Sequence, residues 1–288
     1  NVVKIRGSHF QEGYHDLVLR RGGMEVFPRL VAGHHLRDFK RENFPCGIAG
    51  IDDLLGGGLG RGTSTMFMGP PGTGKSTLAV KFALAAAEKG EKALFFIFDE
   101  TIGTLLHRAR QLGMSLDQHV ESGLIAVEQI DPAEISPGEM AHRIRHAVEH
   151  GQGRMIILDS INGYLNTMPA ERDLTLQLHE LLAYLNQQGV ITIMVLAQQG
   201  IVGAMQSAVD LTYLSDSVLL MRFYEHHGAV KQALSVIKKR SGDHERTIRE
   251  VWVNKEGIAV GEPLRELQGV LTGVPSFLNL AGGGSADD

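Results

Sequence analysis

The segment GPPGTGKS, residues 69–76, decides how the rest of the chain is interpreted. Glycines followed by Lys75 and a hydroxyl residue are typical of a phosphate-binding loop, because glycines let successive backbone N–H groups converge on an anion. Lys75 would reach the β- and γ-oxygens of a nucleotide, and the Ser76 hydroxyl would ligate Mg²⁺. A glycine turn with an accidental lysine is the alternative. The flanking sequence disfavours it, since the loop lies between an apolar run and a helical pattern whose N-terminus faces the anion.

Strand-like and helix-like patterns alternate around this loop. Five apolar runs are typical of buried strands, and they cover residues 63–69, 92–100, 123–130, 154–160 and 190–198. Helical patterns follow the first, third and fourth of these runs; the second helix opens with the capping sequence SPGE and the third is a stripe of leucines. Near-continuous apolar strands separated by helices predict an α/β fold with a mainly parallel sheet covered on both faces.

The pattern changes after residue 216. Segments 216–224, 230–240 and 248–260 have the pattern of strands and hairpins, with no helical pattern between them. They predict an antiparallel extension at the edge of the parallel sheet.

Polar side chains follow three of the predicted strands. Asp159 ends the fourth strand and is the candidate for holding Mg²⁺, directly or through water. Asp99 and Glu100 end the second strand, and acids at the carboxyl edge of such a sheet can hold a metal or orient the water that attacks a γ-phosphate. Gln198 ends the fifth strand and is a candidate sensor of that phosphate; an ordinary packing role is the alternative.

Composition limits the classes of function. The 288-residue chain carries 28 Lys and Arg against 33 Asp and Glu, a formal net charge of −5. A mildly acidic chain gives no sign of binding to nucleic acid or to an anionic membrane. Cys46 is the only cysteine, which suits a reducing cytoplasm, and no apolar run approaches the roughly 18 residues of a spanning helix.

A short fragment occurs twice in the chain. VVKIRGSH at 2–9 and VIKKRSGDH at 236–244 align at an offset of 234 residues. That offset aligns Lys4 with Lys238, Arg6 with Arg240, Gly23 with Gly257, Val26 with Val260 and Leu30 with Leu264. Two unrelated hairpins of one design would explain the match, and so would the tail of a preceding copy of a module of roughly 234 residues.

The second copy carries two cations with a possible role in catalysis. Lys238 and Arg240 stand at i and i+2 of a predicted strand, so their side chains point to the same side. Cations from a neighbouring subunit can accelerate phosphoryl transfer roughly 10³–10⁵-fold. The two residues are therefore candidates for a clamp on a neighbour's nucleotide. An ordinary basic edge strand, which discourages aggregation, is the alternative.

Taken together, these residues resemble the KaiC family of circadian-clock-type ATPases within the RecA superfamily. The resemblance runs from residue 44 to residue 275. The segments that carry it are GIAGIDDLLGGGLGRG (47–62), GPPGTGKST (69–77), the acids at 99 and 100, IILDS (156–160), VIKKRSGDHERTIRE (236–250) and GVLTGVP (269–275). It implies a RecA-type P-loop NTPase fold.

The resemblance also implies a homohexameric ring with ATP and Mg²⁺ bound between subunits. The expected binding set on one subunit is Gly69, Gly72, Thr73, Gly74, Lys75, Ser76, Thr77, Asp159 and Gln198, with Ser76, Asp99 and Asp159 near the metal. Lys238, Lys239 and Arg240 would reach into the site from the neighbour. The family has two glutamates at the catalytic position. Asp99 replaces the first here, so the base is either Asp99 or Glu100.

The resemblance implies a division of the chain. The expected parts are the last hairpin of a preceding domain of the same type at 1–30, a linker at 31–46, an ATPase domain at 47–275 and a flexible tail at 276–288. Lys4 and Arg6 would then serve the nucleotide of the preceding domain, whose phosphate-binding loop is not in this sequence.

Autophosphorylation is a further activity that the resemblance implies. In the clock protein, the second domain phosphorylates itself on an adjacent Ser–Thr pair. The segment DLTYLSDS at 210–217 places Thr212 on the serine and Tyr213 on the threonine. Thr212 is therefore the candidate phosphosite, and Tyr213 departs from the two-site pattern.

Two other functions stay open. A RecA/RadA-type recombination ATPase would bind DNA with the loops after the fourth and fifth strands, but residues 199–215 contain no Lys or Arg and residues 160–172 contain only Arg172. A non-hydrolysing scaffold that assembles with nucleotide is kept open by Asp99. A KaiB-like or signalling protein is the candidate partner, and neither nucleic acid nor a membrane is expected.

Overall fold

The computed structural model describes residues 6–7, 14–165, 171–200, 210–272 and 276–277, with only the backbone of 171–173 and 277. The strands are β1 (Asp16–Arg20), β2 (Gly23–Phe27), β3 (Asn43–Phe44), β4 (Leu59–Gly60), β5 (Ser64–Gly69), β6 (Lys92–Ile97), β7 (Ile125–Gln129), β8 (Gly153–Asp159), β9 (Ile191–Ala197), β10 (Ser217–His226), β11 (Ala229–Lys239), β12 (Arg249–Asn254), β13 (Gly257–Pro263), β14 (Leu267–Gln268) and β15 (Ser276–Phe277). The α-helices are α1 (Ala49–Leu54), α2 (Lys75–Glu88), α3 (Ile102–Gln111), α4 (Leu116–Glu121), α5 (Pro137–Glu149), α6 (Ile161–Leu165) and α7 (Glu171–Gln187). Short 3₁₀ helices span Ala32–His34, Thr212–Leu214 and Val270–Thr272.

One nine-stranded sheet organises the fold, in the order β13-β12-β11-β10-β5-β9-β8-β6-β7. The strands from β10 to β7 pair in parallel. The strands β11, β12 and β13 continue antiparallel at one edge. The predicted α/β fold, a mainly parallel sheet with an antiparallel extension, is confirmed.

The position of β10 corrects one detail of that prediction. Its segment was expected in the antiparallel extension, yet β10 pairs in parallel with β5, from Ser217 opposite Thr65 to Leu220 opposite Met68. The reason is burial on both faces. Val218 belongs to the core on one side of the sheet and Leu219 to the core on the other, as in a central strand.

Helices cover both faces of the sheet, as the apolar strands require. On one face α2 is buried along most of its length, with Leu78 and Phe82 packed in a core that also includes α1, α3 and α4. On the other face α5, α6 and α7 pack against the strands, with Leu178 and Leu182 of α7 in a second core. The parallel strands are therefore covered on both sides.

The start of α5 follows only half of the predicted capping box. Ser136 caps the helix, because its hydroxyl accepts a hydrogen bond from the Glu139 amide at 3.2 Å. The Glu139 side chain contacts arginines: Arg143 lies at 2.9 Å, and Arg20 of β1 forms an ion pair with the same carboxylate. The helix ends at Glu149, as its sequence predicts.

The helices α3 and α4 lie in a stretch for which the sequence analysis predicted no element. Thr101 caps α3 by accepting a hydrogen bond from the Thr104 amide at 3.2 Å. Leu105 and Ala109 are the buried residues of α3, and with Ile102 and Leu106 they have the i, i+3, i+4, i+7 spacing of an amphipathic helix, a signal that was overlooked. The omission matters because α3 carries one of the charged residues of the cleft described below.

The first strands form a separate hairpin that contacts α5. Asp16 of β1 accepts a hydrogen bond from the backbone amide of Gly138 at 2.7 Å, and Phe27 of β2 is buried beside His142. An acid is favourable at this place, because the first backbone N–H groups of a helix have no partner within the helix. The hairpin is thus fixed to the N-terminal turn of α5 by charge and by packing.

The segments expected to be a linker and a tail both make contacts. In residues 31–46, Phe44 and Cys46 are buried in the core. At the other end, β15 pairs with β14, so Ser276 and Phe277 form part of a two-stranded sheet. Residues 278–288 lie outside the described part of the chain. Among the helices that the structure describes, none combines the length and apolar character needed to cross a membrane.

Candidate nucleotide-binding site

A cleft of about 570 Å³ lies at the carboxyl edge of the sheet. It lies against the N-terminus of α2 and the ends of β6, β8 and β9. The charged residues that line it are Lys75, Asp99, Glu100, Arg108 and Asp159. Four of these five were predicted from sequence, and the fold brings them together at one edge because parallel strands end on the same side.

Three glycines allow the loop at 69–76 to close at the N-terminus of α2. Gly72 and Gly74 have φ angles of +85° and +94°, the left-handed region that favours glycine. Gly69 has a φ of +151°, and a β-carbon there would lie 2.1 Å from the carbonyl oxygen of Met221 on β10. The backbone can therefore direct its N–H groups, together with the helix terminus, at a phosphate.

Lys75 is the buried cation of this loop. Its ammonium donates hydrogen bonds to the carbonyl oxygens of Gly69 at 2.8 Å and Pro70 at 2.7 Å. Burial lowers the pKa of Lys75 to about 8, and the Asp159 carboxylate acts in the opposite direction by favouring the charged form. Thr73 is also buried, and its hydroxyl donates to the Pro70 carbonyl at 2.9 Å.

Asp159 and Ser76 provide the kind of oxygen atoms that Mg²⁺ prefers. Asp159 ends β8 and is 8% exposed. Burial raises its pKa, and a hydrogen bond with Ser76 opposes that rise. Its Oδ2 atom is buried and has no hydrogen-bond partner in the described part of the chain. One hydroxyl and one carboxylate suit an ion that keeps several waters and phosphate oxygens as its other ligands. No cluster of three His, Cys, Asp or Glu side chains exists among the described residues, so an all-protein metal cage is not found there.

The two acids after β6 have different partners. The Ser160 hydroxyl donates a hydrogen bond to Asp99. Glu100 instead forms an ion pair of 2.6 Å with Arg108 of α3. Burial raises the pKa of Glu100, and the Arg108 cation opposes this effect. The acids that are adjacent in sequence are therefore not equivalent in space.

Several lining residues were not predicted from the sequence, and three of them lie outside the phosphate-binding loop, the parallel strands and the strand ends. Arg108 lies on the unpredicted α3. Gln232 of β11 donates to the carbonyl oxygen of Gly72 at 3.2 Å, and Val253 of β12 packs against Gly74. The Thr101 cap, the apolar spacing of the helix and the glycine at 113 were the available signals for α3. For Gln232 and Val253 the sequence carried no signal, because their contacts depend on the antiparallel strands lying beside the loop.

Gln198 lies close to the loop through its backbone. Its amide donates to the carbonyl oxygen of Gly69 at 3.0 Å. Its side-chain Oε1 atom is buried and has no partner among the residues described. The residues of β9 that line the cleft are Val195 and Ala197. The sensing role of Gln198 therefore stays a prediction.

The basic trio predicted to act on a nucleotide lies at the opposite edge of the sheet. Ser217 at the start of β10 pairs with Lys239, whereas the phosphate-binding loop follows the end of β5. One strand length, about 17 Å for six residues, separates the two edges. In their own chain these cations are therefore far from the cleft.

Each member of the trio contacts a backbone carbonyl. Lys238 donates to the carbonyl oxygens of Thr212 at 2.8 Å and Ser215 at 2.7 Å. Arg240 donates to that of Tyr213 at 2.7 Å, and Lys239 donates to that of Leu55. Lys238 and Arg240 thus reach the same turn, as their i, i+2 spacing predicts, while Lys239 points elsewhere. The matching Lys4 lies outside the described residues, and Arg6 is exposed.

The candidate phosphosite lies in that same turn. The Thr212 hydroxyl donates to the Asp210 carboxylate at 2.7 Å, and the Thr212 amide donates to the same oxygen atom at 2.9 Å. Tyr213 beside it is 54% exposed. Thr212, Tyr213 and the two cations Lys238 and Arg240 therefore share one surface, which we call the amino-edge patch.

Comparison with known proteins agrees with this geometry. A family model described as the KaiC ATPase matches residues 44–265, which include the phosphate-binding loop, the acids and the basic trio. The match covers well over half of the chain.

Curated relatives extend the similarity to nearly the whole chain. The circadian clock protein KaiC3 of Synechocystis sp. is 22% identical over 280 residues, which are 96% of this chain and 55% of that protein. KaiC2 of the same organism is 25% identical over 277 residues, 94% of this chain and 48% of that protein. The circadian clock oscillator protein KaiC of Synechococcus elongatus is 22% identical, with 97% and 54% covered. The chain thus spans about half the length of the curated relatives it matches.

Proposed function

The chain belongs to the KaiC family of ATPases, and on that premise we propose that it binds Mg²⁺ and ATP between copies of itself in a hexameric ring and hydrolyses the ATP. The process it serves would be regulation of the clock or signalling type, with a KaiB-like or signalling protein as partner. The observation that carries the proposal is the separation of the basic trio from the cleft of its own chain.

The residues of the cleft would have three roles: binding the phosphates, holding the metal ion and orienting the attacking water. The loop at 69–77 would bind the phosphates through its N–H groups and Lys75. Ser76 and Asp159, with Asp99 nearby, would hold Mg²⁺, which neutralises phosphate charge when bound. Asp99 or Glu100 would orient a water for attack on the γ-phosphorus.

The missing part of such a site is a cation that acts on the γ-phosphate from outside the loop. Lys238 and Arg240 are suitable cations, but one strand length separates them from the cleft of their own chain. They can meet a phosphate only if the amino-edge patch of one copy faces the cleft of the next. Head-to-tail contacts of this kind form a ring when the rotation between successive copies closes. This geometry favours a shared site over one built within a single chain.

The two alternatives receive less support. DNA binding needs cations, and the loops where they are expected contain only Arg172. A non-hydrolysing scaffold would need no acid to orient an attacking water, whereas both Asp99 and Glu100 line the cleft in addition to Asp159. An ATP turnover assay on a variant with both acids replaced, Asp99→Asn with Glu100→Gln, separates the scaffold from the ATPase.

The direct experiment is the substitution Lys75→Ala. We expect it to abolish ATP binding and ring assembly together, because Lys75 is the loop's own cation and the nucleotide lies in the subunit contact. Size-exclusion chromatography with and without ATP, beside a nucleotide-binding titration, measures both. A ring that persists in a variant shown not to bind ATP would contradict the coupling of binding to assembly.

A second candidate activity is autophosphorylation of Thr212. The hydrogen bond of its hydroxyl to Asp210 gives it a carboxylate at 2.7 Å that can accept the proton, and it lies in the patch that would face a neighbour's γ-phosphate. Mass spectrometry after incubation with Mg²⁺ and ATP tests this, with Thr212→Ala as control. Unmodified Thr212 in a preparation that hydrolyses ATP would remove the proposal and leave the ATPase unaffected.

A further inference from the structure

Arg108 is the charged residue of the cleft to which neither the motifs nor the family resemblance gives a role. It lies on α3, and its guanidinium makes two contacts inside the cleft. One nitrogen forms the ion pair with Glu100 at 2.6 Å, and the other donates to the Thr77 hydroxyl at 3.4 Å. Arg108 thus links the acid after β6 to the helix that begins at the phosphate-binding loop.

The balance of charge in the cleft depends on this residue. Three carboxylates line it, those of Asp99, Glu100 and Asp159, against the two cations Lys75 and Arg108. A nucleoside triphosphate is itself an anion, and magnesium neutralises only part of its charge. Without Arg108 the cleft would hold three carboxylates and one cation, an unfavourable field for an anionic ligand.

The contact with Glu100 is partly shielded from water. The side chains of Arg108 and Glu100 are 34% and 23% exposed. Removing one partner of a shielded pair leaves the other charge uncompensated, which costs more than the loss of an exposed pair. The carboxylate of Glu100 would then repel the phosphates and be free to change its position.

We propose that Arg108 is a positioning residue of the nucleotide site, which holds Glu100 in place and cancels its charge so that the cleft accepts an anionic nucleotide. This inference rests on the proposed ATP binding and adds to it a cation from the same chain, distinct from the cations that a neighbouring copy would supply. Arg108 acts through Glu100, so its effect depends on Glu100 being charged.

The test is a titration of the full chain with magnesium and a non-hydrolysable ATP analogue. Arg108→Ala should weaken binding at least about 10-fold, and Arg108→Lys should give an intermediate loss, because a lysine cannot make both contacts at once. The double variant Arg108→Ala with Glu100→Gln should recover most of the affinity, since the uncompensated carboxylate is gone. The matched control is Arg110→Ala on the same helix, whose ion pair with Asp117 is on the surface and should not affect binding.

Several outcomes would overturn the inference. Binding by Arg108→Ala equal to that of Arg110→Ala would show that the charge is not needed. A double variant no better than Arg108→Ala would show that Arg108 does not act through Glu100. Failure of the proposed function looks different: the unaltered chain would then not bind the analogue, or Lys75→Ala would bind it equally well. Thermal unfolding of each variant separates a loss of fold from a loss of affinity.

Discussion

The hairpins β1–β2 and β12–β13 have the same pairing next to the turn and different surroundings. In β1–β2, Leu17 pairs with Val26 and Arg20 with Gly23. In β12–β13, Val251 pairs with Val260 and Asn254 with Gly257. Four of the five pairs of the first hairpin fall on a pair of the second at the offset of 234 residues that aligns the two sequence fragments, and the fifth falls where β12–β13 has an irregular register.

The surroundings of the two hairpins differ in every respect. The hairpin β12–β13 continues the nine-stranded sheet; Val251 is buried and Val253 packs against the phosphate-binding loop at Gly74. The hairpin β1–β2 forms a sheet of its own, with the matching Leu17 and Leu19 at 55% and 78% exposure. The turn and the alternation of side chains determine the hairpin, whereas the rest of the fold determines what it contacts.

The largest expected difference between the two copies is catalytic. Arg240→Ala should lower ATP hydrolysis about 10³-fold, because a cation opposite the γ-phosphate stabilises the transition state. Arg6→Ala, at the matching place, should change the rate less than about 2-fold, since an exposed charge with no phosphate opposite contributes little. Steady-state ATPase assays on both variants measure this. Equal losses would contradict the different roles assigned to the two copies.

A second difference should appear in stability. Val251 is 2% exposed, and Val251→Ala should lower the free energy of unfolding by about 2 kcal/mol. The matching Leu17→Ala should change it by no more than about 0.5 kcal/mol, because that side chain is largely in solvent. Urea unfolding curves give both values, provided that the dependence of the unfolding free energy on urea concentration is the same for each variant and the unaltered chain. A loss from Leu17→Ala as large as that from Val251→Ala would show that the apolar face of the first hairpin is covered in solution.

The smallest expected effect concerns the contact of the first hairpin with α5. Burial alone would raise the pKa of Glu139, but hydrogen bonds from Arg143 and Arg20 outweigh it and hold the pKa below its ordinary value. The ion pair therefore stabilises the fold fully at pH values above the ordinary pKa of a glutamate. This stabilisation is lost as the pH falls through the lowered pKa of Glu139.

Arg20→Ala should cost about 0.5 kcal/mol near neutral pH, because Arg20 is half exposed and Arg143 still pairs with Glu139. The cost should disappear in acid, and Arg21→Ala is the control. Unfolding measured at several pH values checks both. A cost of Arg20→Ala that grows as the pH falls would contradict this account of Glu139.

The sheet and the phosphate-binding loop could be predicted because their signals are local. Each buried strand is an apolar run, and the glycines with Lys75 and Ser76 form a contiguous motif whose geometry needs those residue types. Asp99 and Asp159 followed from their places at strand ends. These parts of the site depend on residues that are close together in sequence, and on the rule that parallel strands end at the same edge of a sheet.

The rest of the site depends on contacts between distant segments. The helix α3 has an apolar stripe that was overlooked, but a stripe predicts only the helix: the contact of Arg108 with Glu100 depends on how α3 packs beside the end of β6. Gln232 reaches the loop only because β10 lies between β11 and β5. The apolar run of β10 indicates burial on both faces, but its parallel pairing could not be predicted from that run, since a strand next to β5 is buried on both faces whatever its direction.

The central claim is that the catalytic site is built from two copies of the chain. Mixing Arg240→Ala subunits with Lys75→Ala subunits tests it most directly, because each variant alone lacks one half of every site. In rings shown to contain both, some contacts pair an intact loop with an intact arginine, and ATP hydrolysis should rise well above that of either variant alone. Mixed rings with no more activity than the separate variants would contradict the claim.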